Sequence, residues 1–203
     1  MSTAVPPVVT LFESYGSGAE EVGPRVAEAL GVAFHAQAFS SEQLESPERN
    51  DDGILSRVFA AMGGSYAALE GPAVAMAQRD DHELILQNTR WVTEAARGGG
   101  VIVGRNGALI LASWPGALHV RLDAPVPARV ERAARTAGIT PERAARRQRR
   151  EDGIRADMSI QLYGWDPREP TRYDLVLNTG TLDPDDCAAI IVHASRVKTA
   201  SNP

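Results

Sequence analysis

The sequence predicts a single α/β domain in which a parallel sheet is covered on both faces by helices. Three observations predict it. Short β-branched apolar runs alternate with segments of helical periodicity along nearly the whole chain. One run, Val101-Ile102-Val103, is apolar at every position, as strands buried on both faces are. The 203 residues, 43% hydrophobic and 23% charged, suffice for one core and exclude a wholly disordered or fibrous chain.

The elements follow in order. Val8 to Phe12 reads as a strand that ends at Ser14-Tyr15-Gly16-Ser17-Gly18, and Val22, Val26, Ala29 and Leu30 then carry helical spacing up to Gly31. Val32 to Phe39 reads either as a second short strand or as an extended segment. Ser40 to Asp52 is polar, contains Pro47, and reads as a mobile loop or a helix boundary. Ile54 to Met62 and His82 to Arg97 read as helices, separated by Gly63-Gly64 and the Gly71-Pro72 turn. The central strand at Val101 to Val103 runs into Gly104-Arg105-Asn106-Gly107 and a helix through Ala112. Ala117 to Leu122 is the next strand, and an Arg/Ala-rich helix follows through Ala137 until Gly138 breaks it. Thr140-Pro141-Glu142 combines an N-cap, a proline at the first helical position and an acidic first turn, which starts a basic helix running to about Met158. After a turn-rich stretch at Tyr163 to Pro167, Tyr173 to Leu177 is the last strand and Asp183 to Arg196 the last helix, with fraying expected beyond Val197.

Charge and cysteine content narrow the function. The net charge of −5 disfavours nucleic acid as a partner, and aromatic residues at 5% leave little for base stacking. An RNA-binding module using the basic helix is therefore the weakest reading. The lone Cys187 cannot pair within the chain, and no Cys/His cluster has metal-ligand spacing, so no metal ligands are assigned. With no signal-like N-terminus and no apolar run near the ~20 residues that span a bilayer, a soluble, cytoplasmic protein without a membrane partner is expected. Of 21 basic residues only Lys198 is lysine, and Arg143, Arg146, Arg147, Arg149, Arg150 and Arg155 crowd one segment. Arginine's planar fork suits phosphate.

Four segments in order resemble the cytidylate-kinase-like family of P-loop kinases. They are Tyr15-Gly16-Ser17-Gly18-Ala19; Val101 to Arg105; His119 to Asp123 with Ala124-Pro125; and Arg155-Ala156 followed by Tyr163-Gly164 and Tyr173 to Thr179. The resemblance implies a five-stranded parallel sheet, an arginine-bearing helical lid and ATP-dependent phosphoryl transfer to a nucleoside monophosphate, with Mg²⁺ accompanying the ATP. It divides the single domain, residues 1–203, into strand, phosphate loop and helix at 8–31, a monophosphate-binding-like helical region at 40–97, and a lid-like segment at 140–170.

In that frame Gly16, Ser17, Gly18 and Ala19 form the loop for the donor phosphates, because successive amides and a helix N-terminus hold an anion. The resemblance also implies basic residues near positions 13 and 20, where this chain has Glu13 and Glu20, with Glu21 beside them. Carboxylates facing a triphosphate cost about 1 to 4 kcal/mol at intermediate dielectric. Glu20 and Glu21 otherwise read as first-turn residues that complement the helix dipole, with a direct role in Mg²⁺ binding as the other reading. Arg105 is implied as the acceptor-phosphate ligand, against the plain reading of a solvated turn residue. Asn106 stands where cytidylate kinases have an aspartate; as a substrate-binding residue its amide can still hydrogen-bond a base but carries no charge, so preference for CMP has no support in the sequence. Arg150 and Arg155 are the expected phosphate contacts of the lid, with Asp152 orienting one of them. Tyr163, Trp165 and Tyr173 read as packing residues, and His119 as a sheet-face residue. Asp123 reads either as a carboxylate near metal-bound water or as a turn cap. Two functions remain open: a working phosphotransferase that binds nucleotides, or an inactive relative that serves as a nucleotide sensor or docks a protein partner.

Overall fold

The computed structural model describes residues 6–37 and 72–200, with residues 72–80 as backbone only. The predicted helix at 54–62 and the predicted loop at 40–52 lie outside the described residues. Five strands form one parallel sheet: β1 (Val8–Glu13), β2 (Ala33–His35), β3 (Gly100–Val103), β4 (Leu118–Asp123) and β5 (Leu175–Asn178), in spatial order β2-β3-β1-β4-β5. Helices α1 (Ala19–Leu30), α2 (Pro72–Arg97), α3 (Gly107–Ile110), α4 (Val126–Ala137), α5 (Pro141–Tyr163) and α6 (Pro184–Ala200) fill the connections. Among the described residues no helix is long and apolar enough to cross a membrane.

Strand alternation sorts the core into two layers. Val9, Leu11, Val101, Val103, Val120 and Leu122 point to one face, where Val22 and Val26 of α1 and Ile191 of α6 cover them. Val8 and Ile102 point to the other, against Val92 and Ala96 of α2 and Leu111. Thr10 and His119, register partners on β1 and β4, share that second face and join through Thr10 Oγ1 and His119 Nδ1 at 2.9 Å. Burial, followed by the nearby Lys198, pushes the imidazole pKa down. His119 is thus a sheet-face residue.

Boundaries differ from the sequence reading where local chemistry decides them. Helix α2 starts at Pro72, ten residues before His82, because a proline at a helix start gives up an amide that would have no partner anyway. The last strand starts at Leu175: Pro170–Arg172 forms a 3₁₀ turn, and Tyr173 turns inward to donate its hydroxyl to the Pro167 carbonyl at 2.8 Å. Its ring packs beside Trp165 and Phe12, and burial drives its pKa upward. The final helix continues past Val197 to Ala200.

This sheet order fixes where a ligand can lie. From β1 the chain goes to the β2 side through α1, whereas β3 crosses over β1 to reach β4, so the carboxyl end of β1 opens a crevice between diverging connections.

Candidate functional site

At the end of β1 the chain turns through the glycine loop into α1. Gly16 and Gly18 have φ of 80° and 87°, a region open mainly to glycine. A Cβ on Gly16 would lie 2.4 Å from the Arg129 carbonyl oxygen, so the loop packs directly on α4. Ser17 is fully buried, its amide bonded to the Ser14 carbonyl at 2.9 Å. Ala19 has a buried methyl group and offers only its amide to the site. That amide is taken: Ala19 N–H donates to Glu13 Oε2 at 2.9 Å. A second loop amide, Tyr15 N–H, donates to Asp152 Oδ1 at 2.8 Å. Desolvation raises the Glu13 pKa against the opposing pull of Arg155.

Helix α5 lies over the loop. Thr140 Oγ1 accepts from the Arg143 amide and caps its start, as the sequence predicts. Its buried face carries Ala144, Arg147, Gln148, Glu151, Ile154 and Ser159, and the charged members of that stripe look toward the loop. Arg155 follows Glu151 by one turn and bonds Glu151 Oε2 at 2.9 Å and Gln37 Oε1 at 3.1 Å, both through Nη2. Its side chain is 9% exposed, and among the described residues its Nε and Nη1 have no partner. Buried donors left idle cost free energy.

The remaining predicted residues divide. Arg150 lies on the exposed face of α5 and lines neither cavity described below. Asp152 orients neither Arg150 nor Arg155. Its Oδ2 accepts from Arg129 Nη1 and Gln148 Nε2, each at 2.8 Å. The reason is helical geometry: Asp152 sits about 100° around the axis from its neighbour Glu151, which meets Arg155 instead. Asp123 accepts from Arg121 Nη2 at 2.6 Å and from the Ala124 amide at 2.9 Å, so it is engaged as a strand-end cap and ion pair. Among the described residues no group of three or more His, Cys, Asp or Glu side chains gathers to hold a metal.

Gly104, Arg105 and Asn106 at the end of β3 all have positive φ, 70°, 56° and 55°. For a bulky arginine this conformation costs on the order of 1 kcal/mol or more, and such strain concentrates at functional sites. Asn88 of α2 holds the turn by donating to the Arg105 carbonyl at 2.9 Å and to the Tyr163 hydroxyl at 2.7 Å. The Arg105 guanidinium lies over the Trp91 ring, 3.8 Å from its centroid, and among the described residues its buried Nε has no partner. Asn106 Oδ1 accepts from Trp165 Nε1 at 2.9 Å, which ties that amide to the protein.

Among the described residues two cavities open here. One, of about 380 Å³, lies between α2, α5 and the end of β3; Arg105, Asn106, Trp91 and Tyr163 line it among mainly apolar groups. The other, of about 270 Å³, lies over the glycine loop, walled by Gly16, Gly18, Glu20, Glu21, Arg132 and Arg147. Glu13, Gln37 and Arg155 belong to both walls. Arg129, which sequence reasoning missed, joins loop to lid: its side chain is 7% exposed, and it donates to the carbonyls of Tyr15 and Ala124 and to Asp152. Its signal was available as one arginine on the otherwise small, alanine-rich face of α4. Trp91 and Gln37 carried no such signal.

A five-stranded parallel sheet of this order, with a glycine loop at its crevice and an arginine-bearing helix above, defines a kinase-like α/β domain. The chain belongs to the cytidylate kinase-like family, whose model matches residues 8–181. It is 27% identical to a cytidylate kinase of Ignicoccus hospitalis over 182 residues, which cover 88% of this chain and 92% of that one. A uronate isomerase of Corynebacterium glutamicum is 41% identical over 106 residues, 52% of this chain, and the match spans only 20% of that protein's length. In fold, an uncharacterized protein from Eubacterium ventriosum has a crystal structure with a TM-score of 0.67 at 16% identity, covering 94% of this chain and 98% of its own.

Proposed function

We propose that this protein is a phosphotransferase of the nucleoside monophosphate kinase type, with its acceptor in the 380 Å³ cavity and its donor triphosphate over the glycine loop. One observation carries the reading: the two cavities meet at Arg155, whose buried guanidinium has two idle donors where the acceptor and donor phosphates would face each other. Phosphoryl transfer asks a protein mainly for positioning and for positive charge at the transferring group. Arg155 supplies that charge. Arg105 binds the acceptor phosphate from the opposite wall, and the apolar lining around Trp91 accepts a flat base or a sugar. The donor side is acidic, with Glu13, Glu20 and Glu21 on its wall, and these carboxylates weaken triphosphate binding.

A second reading, an inactive relative that binds a monophosphate as a sensor, is favoured by the contact between Glu13 and the Ala19 amide. The test is a phosphotransfer assay with ATP and Mg²⁺ against nucleoside monophosphates, with hexuronates included because of the segment shared with a uronate isomerase. Product with one acceptor, abolished by Arg155→Gln, supports the kinase. Monophosphate binding without product from any acceptor supports the sensor.

A further inference from the structure

We propose that the Glu13 carboxylate is a built-in, displaceable occupant of the donor loop, which a polyphosphate must expel to bind. The proposal rests on the phosphotransferase reading above and names how its donor side is controlled. A carboxylate oxygen at 2.9 Å from Ala19 N–H sits at the N-terminus of α1, where a donor phosphate oxygen would seek the same amide. The contact is local: Glu13 reaches forward over the loop to an amide six residues on, so its release needs only a side-chain rotation and no unfolding of β1 or α1.

An independent feature shows that the loop still expects an anion. Arg155, whose side chain is nine-tenths buried, lines the same wall as Glu13, and its Nε and Nη1 are unpartnered while Nη2 serves Glu151 and Gln37. Glu13 fills the amide but leaves these donors idle. A polyphosphate, with more oxygens and more charge, can satisfy both.

Occupancy by Glu13 and by polyphosphate is mutually exclusive on charge as well as on space. The groups facing Glu13 are Arg147, Glu151, Asp152 and Arg155 from α5, Glu20 and Glu21 from α1, Arg132 from α4 and Arg105 from the end of β3. Desolvation already raises the carboxyl pKa. A protonated Glu13 is a poorer acceptor and no longer repels phosphate, so donor affinity falls as pH rises through the folded-state pKa of this group.

The experiment titrates pyrophosphate and CMP separately into wild type, Glu13→Gln and Glu13→Ala by calorimetry, at a series of pH values from about 5 to about 8. At the highest pH both variants bind pyrophosphate roughly tenfold or more tightly than wild type, and the advantage shrinks toward the lowest pH. Taking the ratio of variant to wild type cancels pyrophosphate's own titration. Should Glu13→Gln fail to fold by circular dichroism, Glu13→Ala carries the comparison. Equal pyrophosphate affinity in wild type and folded variants overturns the proposal, and so does a lack of pyrophosphate binding by all three. CMP binding in those cases leaves the acceptor site standing. A gain in pyrophosphate affinity without any CMP binding supports the gate and removes the acceptor assignment.

Discussion

Replacing Arg129 by methionine removes the link between glycine loop and lid while keeping the aliphatic packing of the side chain. Three bonds go: Nε to the Ala124 carbonyl at 2.9 Å, Nη1 to the Tyr15 carbonyl at 3.0 Å, and Nη1 to Asp152 Oδ2 at 2.8 Å. Breaking a fully buried ion pair costs about 3 to 5 kcal/mol. Here Asp152 is 27% exposed and keeps the Tyr15 amide and Gln148, which places the loss nearer ~2 to 3 kcal/mol. For a domain of this size each kcal/mol shifts Tm by roughly 2–4 °C, so a fall of about 4–12 °C is expected in thermal unfolding followed by circular dichroism. A double-mutant cycle with Asp152→Asn should then show a coupling of about 1 kcal/mol or more. A fall below about 2 °C, or additivity within ~0.3 kcal/mol, refutes the idea that this pair fastens α5 to the loop.

Glu20 is exposed beside the loop, and Glu20→Lys should raise ATP affinity roughly tenfold to a hundredfold, measured by calorimetry, against a helix-dipole cost of only ~0.3 to 1 kcal/mol. Glu13→Gln should change how stability depends on pH. Because the folded-state pKa is raised, wild type and variant unfold alike in acid, where the carboxyl is protonated in both states; the variant then becomes the more stable as pH climbs through the raised value. A Tm difference that stays constant with pH would contradict this. Arg105→Ala should alter stability by less than about 1 kcal/mol, since its partner Trp91 is itself exposed, yet weaken monophosphate binding at least about tenfold in a titration.

The loop and the sheet were legible because their signals are local. Gly16, Gly18 and Gly31 do take left-handed φ, and Thr140 caps α5 as the pattern required. The inward face of α5 was not legible as read. Six arginines in one segment look alike in composition, whereas helical rotation buries Arg147 and Arg155 and exposes Arg143, Arg146, Arg149 and Arg150. Ala144, Ile154 and Met158 mark that inward stripe and, read together with the arginines, select Arg155 over Arg150. The partner of Asp152 could not be read from the sequence, because Arg129 is 23 residues away on another helix and only the packing of α4 against α5 joins them. Glu13 was recognised as an inversion of charge. Its bond to the Ala19 amide depends on the curl of the loop, which residue types alone do not specify.

The central claim is that Arg155 and Arg105 face one phosphate-binding cavity from opposite walls. Calorimetric titration of CMP into wild type, Arg105→Ala and Arg155→Gln tests it most directly. The account predicts measurable binding to wild type and a loss of roughly tenfold or more in each variant, with folded secondary structure retained. Wild-type protein that binds no monophosphate at millimolar concentration, or variants that bind as tightly as wild type, would contradict it.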